Sequence, residues 1–591
     1  MQLALSGSRP VTLPRPSFNV RAGIGWAVTA VIAFLVLVPV GMLVLGSFSA
    51  AHVPTDFSWS TLTASNYATV YTDPITYRVM GNTVLYVVGS LALGMSLSFL
   101  FAWLVSRTNM PCKWLAYAGL PLALIIPGML ESMIWVLLFS PRIGYVNRFL
   151  LDGLHLAGPP FNVYSLPAMI ALEGLRMVPT GFLLLTPLLL RFDPVVEEAA
   201  AMAGASRRTT TWRVTLPLLI PGLLSIALYQ GVTVLSSFEV PGIIGLPGRV
   251  YVFSTLIYTY TSAAASSGGS SYGNAAALSI VYLALNVVGL AIYARVTRDS
   301  TRFAVVSGKA YRPRSLDLGA WRWPALGAIL LHLGITIGLP LLVLLWTSVT
   351  PRILQPSAAA LRQVTGSSWK VLFTDPDVIE TVRNTVIVLL VTATVAALVS
   401  MLIGWLTTRG SFAGRRLLDQ LAFVSHGLPG VILALAMIWF WIRVDAVPVY
   451  GTLAIIILGL VTGFLAYGTR SMSAAFLQIN TELEDAAYTS GASIVNTIRR
   501  VVAPLLLPAL ASMWIWVAIQ SVRFVTLPLM LQTGPDNTVL ASYLWRRWEA
   551  GDTSVVAAVG LAMVLAMGLI TVAVTRIGLL ARRASLTASA G

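Results

Sequence analysis

Cysteine is all but missing from this chain, histidine is rare and charge is scarce. A single thiol, Cys112, in 591 residues excludes an intrachain disulfide and a thiolate metal cluster. The four histidines are scattered and give no metal-ligand spacing. Charged residues make up 10% of the chain, against about 25% in a soluble domain. So little charge cannot cover a chain that is 57% hydrophobic, so a soluble enzyme, a nucleic-acid-binding globule and a disordered scaffold are excluded. A phosphate-binding loop of the Gly-x4-Gly-Lys-Ser/Thr type is also lacking: Gly308-Lys309 is followed by Ala310 and has no glycine at the required spacing before it.

What remains is apolar sequence in long runs. The mean hydropathy is +0.82, and a bilayer core needs about 20 apolar residues per helix. Twelve runs qualify: residues 25–47, 82–105, 115–139, 165–190, 214–237, 275–295, 323–348, 384–407, 418–442, 451–470, 501–522 and 555–577. The fourth is the least regular, because it carries Glu173 and Arg176. The polar stretch Met1 to Gly23 lacks a signal peptide's short apolar core and cleavage site, so the first run is expected to be a retained span. The net charge of +16 has a topological explanation. With the N-terminus inside, about 25 of the Lys and Arg residues fall in cytoplasmic segments and about 11 in outer loops. This predicts a multi-pass protein of the bacterial cytoplasmic (inner) membrane with both termini in the cytoplasm, in contact with lipid and not with nucleic acid.

The chain also repeats itself. Tyr71-Thr72-Asp73-Pro74 recurs as Phe373-Thr374-Asp375-Pro376, and Asn82-Thr83 as Asn384-Thr385. Trp103 and Arg107 match Trp405 and Arg409, and Pro127-Gly128 matches Pro429-Gly430, all at an offset of 302 positions. Beyond the longer loop near residues 141–163 the offset becomes 287. Six spans per half is an even number, so both halves enter the membrane the same way. An all-α membrane fold follows, with about twelve helices in two parallel six-helix halves related by a pseudo-twofold axis. The expected organisation is a cytoplasmic tail at 1–24, a first domain at 25–295, a basic linker at 296–322, a second domain at 323–578 and a tail at 579–591.

Between spans four and five the chain reads Glu198-Ala199-Ala200, then Gly204, Val214, Leu216 and Pro217. Between spans ten and eleven it reads Asp485-Ala486-Ala487, then Gly491, Val501, Ala503 and Pro504. Asp193 and Asn480 are good N-caps, and Pro194 suits a first helical turn. Each loop therefore predicts a short capped helix with a smooth alanine face, a glycine exit and the next span. A helix of this kind can sit in a groove of another protein and exchange force with it.

These two loops resemble the EAA motif of ABC-importer permeases, and the resemblance runs over nearly the whole chain as two fused permease domains. It implies the type I importer permease fold. It also implies that Glu198, Ala199, Ala200, Gly204, Asp485, Ala486, Ala487 and Gly491 serve two coupling helices that dock on a separate ATPase. Asp485 departs from the usual Glu and Ala503 from the usual Leu. The implied partners are two ATPase subunits, which hold ATP and Mg, and a periplasmic or lipid-anchored binding protein. The chain itself is expected to be no enzyme and to bind no cofactor and no metal.

Other stretches resemble the ferric-iron subgroup of such permeases: Phe161 to Pro167, Ser237 to Pro241 with Gly245, Pro247 and Tyr251, and Gly308 to Arg314 with Asp317-Leu318-Gly319. Arg523-Phe524 departs from the Arg-Glu pair common there. Similar permeases serve thiamine, polyamines, phosphonates and sugar phosphates, so an organic solute is the alternative cargo. An ion-gradient-driven carrier is a further alternative, in which the paired loops would be idle.

Ionisable residues in spans are costly and tend to face a cavity or a partner. Glu131, Glu173, Arg176, Glu239 and Arg523 are the candidates for a translocation path. Glu173 and Arg176 share a helix face. The repeat counterparts of the four in the first half are Leu433, Leu460, Gly463 and Thr526, so the acidic groups are one-sided. The expectation is that Glu131 and Glu239 meet a cationic or metal-bearing substrate, with structural ion pairing as the alternative. Pro127-Gly128 and Pro429-Gly430 are expected to break their helices, as gates or as packing kinks. His426 is expected to be a helix-break residue.

Overall fold

A long apolar helix satisfies its own backbone, which is what a lipid environment demands, and this chain is built almost entirely of such helices. The computed structural model describes residues 20–51, 53–190, 194–267, 271–300, 316–410 and 412–588. Among them no β-strand forms beyond two isolated backbone bridges. The segment carrying Lys309 to Arg314, together with Asp193, lies outside the described residues.

Among the described residues ten helices are long and apolar enough to cross a membrane, and the total is twelve when each of two bent pairs is taken as one span. In chain order, span one is Val20–Ser47, span two Pro74–Arg107, span four Leu166–Leu190, span five Leu216–Leu235 and span six Ser271–Ser300. Span seven runs through Arg322–Leu333 and Leu339–Ser348, span eight is Pro376–Arg409, span ten Leu453–Leu477, span eleven Ala503–Arg523 and span twelve Thr553–Ala588. Spans three and nine are broken at the Pro-Gly steps expected to break them. Span three joins Lys113–Ile125 to Gly128–Phe139 with a bend of 92°, and span nine joins Arg415–Gly427 to Gly430–Trp441 with a bend of 110°. Proline supplies the cause. Pro127 and Pro429 are the extended N-caps of the second helices, each of 12 residues, and proline cannot continue the preceding helical ladder. His426 lies in the short turn Ser425–Gly427 that interrupts span nine.

Spans two and eight are each 34 residues long. Such a helix measures about 50 Å, whereas the hydrocarbon layer is about 30 Å thick, so both extend well past it. Each begins at the repeated Asp-Pro step: Asp73 accepts a hydrogen bond from the Ile75 amide at 2.9 Å, and Asp375 from the Asp377 amide at 3.0 Å.

The chain forms two compact units that do not coincide with the sequence halves. The smaller comprises residues 20–38, Thr394–His426 and Phe464–Trp514. Inside it spans eight and ten approach closely, because a methyl group on Gly468 would strike Ser400 Oγ. Small residues at such crossings let helix backbones pack where no water drives association. Trp26 meets Phe412 edge to face, with ring centroids 6.0 Å apart.

The larger unit holds the remainder. There span two packs along span four through the equivalent step, with Gly181 against Ser98. An apolar core gathers Phe101, Val105, Leu120, Phe182, Leu185 and Ile329. Asn82 and Thr83 tie span two to the segment after span five: Asn82 Nδ2 donates to the Tyr251 carbonyl at 3.1 Å, and Thr83 Oγ1 accepts from the Phe253 amide at 3.1 Å. Asn384 Nδ2 donates to the Thr538 carbonyl at 3.2 Å and Thr385 Oγ1 accepts from the Leu540 amide at 2.8 Å. The four pairs fall at the two repeat offsets, so the duplicated Asn-Thr marks a duplicated clamp.

Candidate functional site

The two predicted loops fold alike. In the first, helix Pro194–Met202 ends and Gly204 turns back at φ +83°. In the second, helix Glu482–Thr489 ends and Gly491 turns back at φ +84°. Left-handed backbone of this kind favours glycine, and nothing lies within 4 Å of where a Cβ would stand at either site. Both turns are followed by one short helical turn and then a π-helical turn, Thr211–Thr215 and Ile498–Val502. Such π turns are rare and concentrate at functional sites. Asn480 acts in the predicted capping role, accepting from the Glu482 amide at 3.2 Å.

Exposure follows the same register. Glu198, Ala199 and Gly204 are exposed, as are Asp485, Ala486 and Gly491, while Ala200 and Ala487 are half-buried. Each loop thus presents its motif's acidic residue and small residues to its surroundings, and the second also presents Glu482.

The residue just before each motif does something else, which the sequence reading did not single out. Glu197 Oε2 lies 3.3 Å from Arg107 Nη1, and Arg107 Nη2 donates to the Leu189 carbonyl at 3.1 Å. Glu484 Oε1 lies 3.0 Å from Arg409 Nε, and Arg409 Nη2 donates to the Phe476 carbonyl at 2.9 Å and the Ile479 carbonyl at 2.5 Å. Glu197 also accepts from Thr215 Oγ1 at 2.9 Å. The signal was present: Glu197 and Glu484 differ by the same 287 positions as the glycines. Their partners are 90 and 75 residues away in the chain, beyond the reach of a local motif.

Arg107 is tied down through its backbone as well. Its carbonyl accepts from the Leu316 amide at 2.7 Å, and the Leu316 carbonyl accepts from the Asn109 amide at 3.0 Å. Asn109 Nδ2 donates to Asp317 Oδ1 at 2.6 Å. The Asp317-Leu318-Gly319 stretch therefore docks on the end of span two.

All five candidate path residues meet in the larger unit, around the break in span three. Arg176 Nη1 lies 2.7 Å from Glu239 Oε2, and Arg176 Nε lies 3.6 Å from Glu173 Oε2. Gly128 packs on this pair so closely that a Cβ there would collide with both the guanidinium and the Glu239 carboxylate. Glu131, buried in the first turn of Gly128–Phe139, is in electrostatic range of Arg176, Glu173, Arg523 and Glu239. Arg523 Nη1 donates to Gln520 Oε1 at 3.0 Å. Three carboxylates thus share two guanidinium groups. One arginine serving two acids lets each charge survive in a low-dielectric setting that would punish it alone. The same step in the other half is apolar: Gly430 packs on Phe524 and on Thr526, the counterpart of Glu239, and Leu433 is buried. Among the described residues no group of three or more His, Cys, Asp or Glu side chains is placed to hold a metal ion.

Residues 386–584 match the family described as binding-protein-dependent transport system inner membrane component. The chain is 26% identical over 442 residues to the ferric transport system permease protein FbpB of Actinobacillus pleuropneumoniae, a match covering 73% of this chain and 61% of that protein. The chain therefore spans about three fifths of the length of that relative. It is 29% identical over 230 residues to the molybdenum transport system permease protein ModB of Escherichia coli K12, covering 36% of this chain and 91% of that one. Among solved structures, a bacterial ABC transporter involved in import of the acidic polysaccharide alginate aligns with a TM-score of 0.36 at 17% identity, over 48% of this chain and 98% of that one.

Proposed function

We propose that this chain, whose residues 386–584 match the binding-protein-dependent transport system inner membrane components, is the membrane-spanning subunit of an ATP-driven importer. The observation that carries this reading is the duplicated loop: two short helices with matching exposure, each closed by a left-handed glycine and followed by a π turn. In this reading the helices at 194–202 and 482–489 are coupling helices. Each docks on one of two separate ATPase subunits, which bind ATP and Mg. A binding protein delivers the solute from outside, and closure of the ATPases drives the spans between access states. Two fused permease domains, 25–295 and 323–578, joined by the basic linker at 296–322, form the path. The loops face the cytoplasm, as do both termini.

Ferric iron is the proposed cargo, supported by similarity to a ferric permease over most of the chain. An organic solute is the second reading, and one observation favours it: Glu173 and Glu239 are already bound by Arg176, which suits a charge-balanced path better than a bare cation site. The test is uptake of ferric iron, a polyamine, thiamine and a sugar phosphate by cells with and without the chain, at matched ATP levels. Loss of iron uptake alone supports the first reading. Loss of an organic solute with iron uptake intact supports the second. Uptake that follows an ion gradient and ignores ATP overturns the importer.

A further inference from the structure

We infer that the Arg107–Glu197 and Arg409–Glu484 bridges are mechanical joints that make each short loop helix move as one body with the ends of two spans. Arg107 ends span two and Arg409 ends span eight. Each guanidinium grips three elements at once: its own helix, the last carbonyls of span four or ten, and the loop helix through its glutamate. A helix C-terminus leaves its final carbonyls without intrahelical partners, and its dipole favours a cation there. An arginine on the neighbouring span supplies both needs and still has a face left for a carboxylate.

Burial makes these bridges stiff. The Arg107 and Arg409 side chains are only 4% and 13% exposed; Glu484 is 7% exposed, and Glu197, at 27%, is half-buried. An exposed ion pair is labile, but a buried one is held because separating it strands a charge. The first joint reaches further. Glu197 also binds Thr215, which leads into span five, and the Arg107 backbone pairs with Leu316. The second joint has valine, Val502, at the position of Thr215, and instead adds a second carbonyl, that of Ile479.

Duplication argues against a chance contact. Arginine, glutamate and carbonyl recur together at offsets of 302, 287 and 287 positions. The exposed Glu198 and Asp485 then form the outward face of each loop helix, while Glu197 and Glu484 fasten its inward face. These arginines and glutamates are positioning residues.

The role in transport rests on the importer reading, so two readouts keep the ideas apart. The first needs no partner: amide hydrogen exchange of the full chain in lipid nanodiscs. Glu197→Ala with Glu484→Ala cuts the loop helices loose while each arginine keeps its carbonyls. Glu197→Gln with Glu484→Gln retains an acceptor for the guanidinium. Exchange at residues 196–203 and 483–490 should rise about tenfold in the alanine variant, and about two- to threefold in the glutamine variant, as expected for loss of a coupling contact. Unchanged exchange in the alanine variant overturns the joint. The second readout is solute moved per ATP hydrolysed by the chain reconstituted with its ATPase. The alanine variant should still stimulate hydrolysis but move about tenfold less solute per ATP. Wild-type stoichiometry in that variant also overturns the joint. A wild-type chain that shows no ATP-driven uptake overturns the importer reading instead, and the exchange result then decides the joint alone.

Discussion

At the scale of single residues, the most constrained position is one without a side chain. The space a methyl would fill at Gly128 is held by the Arg176 guanidinium and the Glu239 carboxylate. Gly128→Ala is expected to push the pair apart and to lower stability by about 1–3 kcal/mol, the usual cost of overpacking. Thermal unfolding of the purified chain in detergent would show this as a lower Tm. Gly430→Ala is the internal comparison, since the nearest atom there is a Phe524 ring carbon at 3.0 Å that a small ring shift can relieve. Equal Tm values for Gly128→Ala and the wild type would refute the account of the cluster. A second residue-scale prediction concerns charge. Arg176→Met leaves Glu173 and Glu239 without their shared cation and is expected to cost about 3–5 kcal/mol, whereas Glu239→Gln should cost less, because Glu173 still holds the arginine. If Glu131 and Glu239 attract a cationic solute, Glu131→Gln with Glu239→Gln should reduce its uptake; unchanged uptake would leave the cluster a purely structural one.

At the scale of elements, the loop helices are the parts whose shape can be altered without touching the core. A Cβ at Gly204 or Gly491 meets no atom within 4 Å, so the effect expected of Gly204→Val and Gly491→Val is chiefly backbone strain. That strain is about 1–2 kcal/mol for a residue with a Cβ in left-handed backbone, enough to re-aim the helix. Uptake by cells carrying either valine variant is expected to fall while membrane insertion is unchanged. Gly204→Asn and Gly491→Asn should be milder, because asparagine tolerates this region. Valine variants that transport like the wild type would favour a gradient-driven carrier with idle loops. Much of this level was legible in the sequence. The Asp-Pro starts, the Asn-Thr clamps, the Pro-Gly breaks and the loop glycines are each fixed by a local backbone demand, so each left a residue signature that the duplication doubled. The joints left a weaker one, since Glu197 pairs with a residue 90 positions away. The π turns share Arg213-Val214 and Arg500-Val501 at the repeat offset, but an Arg-Val pair carries no backbone demand that marks a π turn. The sharpness of the bends in spans three and nine depends on how the flanking helices pack, which proline alone does not set. All five charged path candidates meet around one break, yet their pairing pattern could be read only for Glu173 and Arg176, which stand three apart on one helix.

At the scale of the whole molecule, the linker is the natural place to test the two-domain proposal. Fragments 1–300 and 316–591, expressed together, are expected to restore uptake, because the docking of Leu316 and Asp317 on Arg107 and Asn109 uses main-chain and short side-chain hydrogen bonds that need no covalent link. Uptake absent from the fragment pair, with both fragments present in the membrane, would mean that the linker does more than join. The repeated clamps, joints and glycine steps show where the halves were held alike, and the charged cluster shows where they parted. Had the two halves been separate, identical chains, every ionic group placed at the break of span three would have appeared twice, doubling the buried charge that the membrane must tolerate. Fusion into one polypeptide lifts that constraint. One copy can carry the ionic chemistry while its sibling, with Leu433 and Thr526 in the matching positions, stays inexpensive to bury and free to drift.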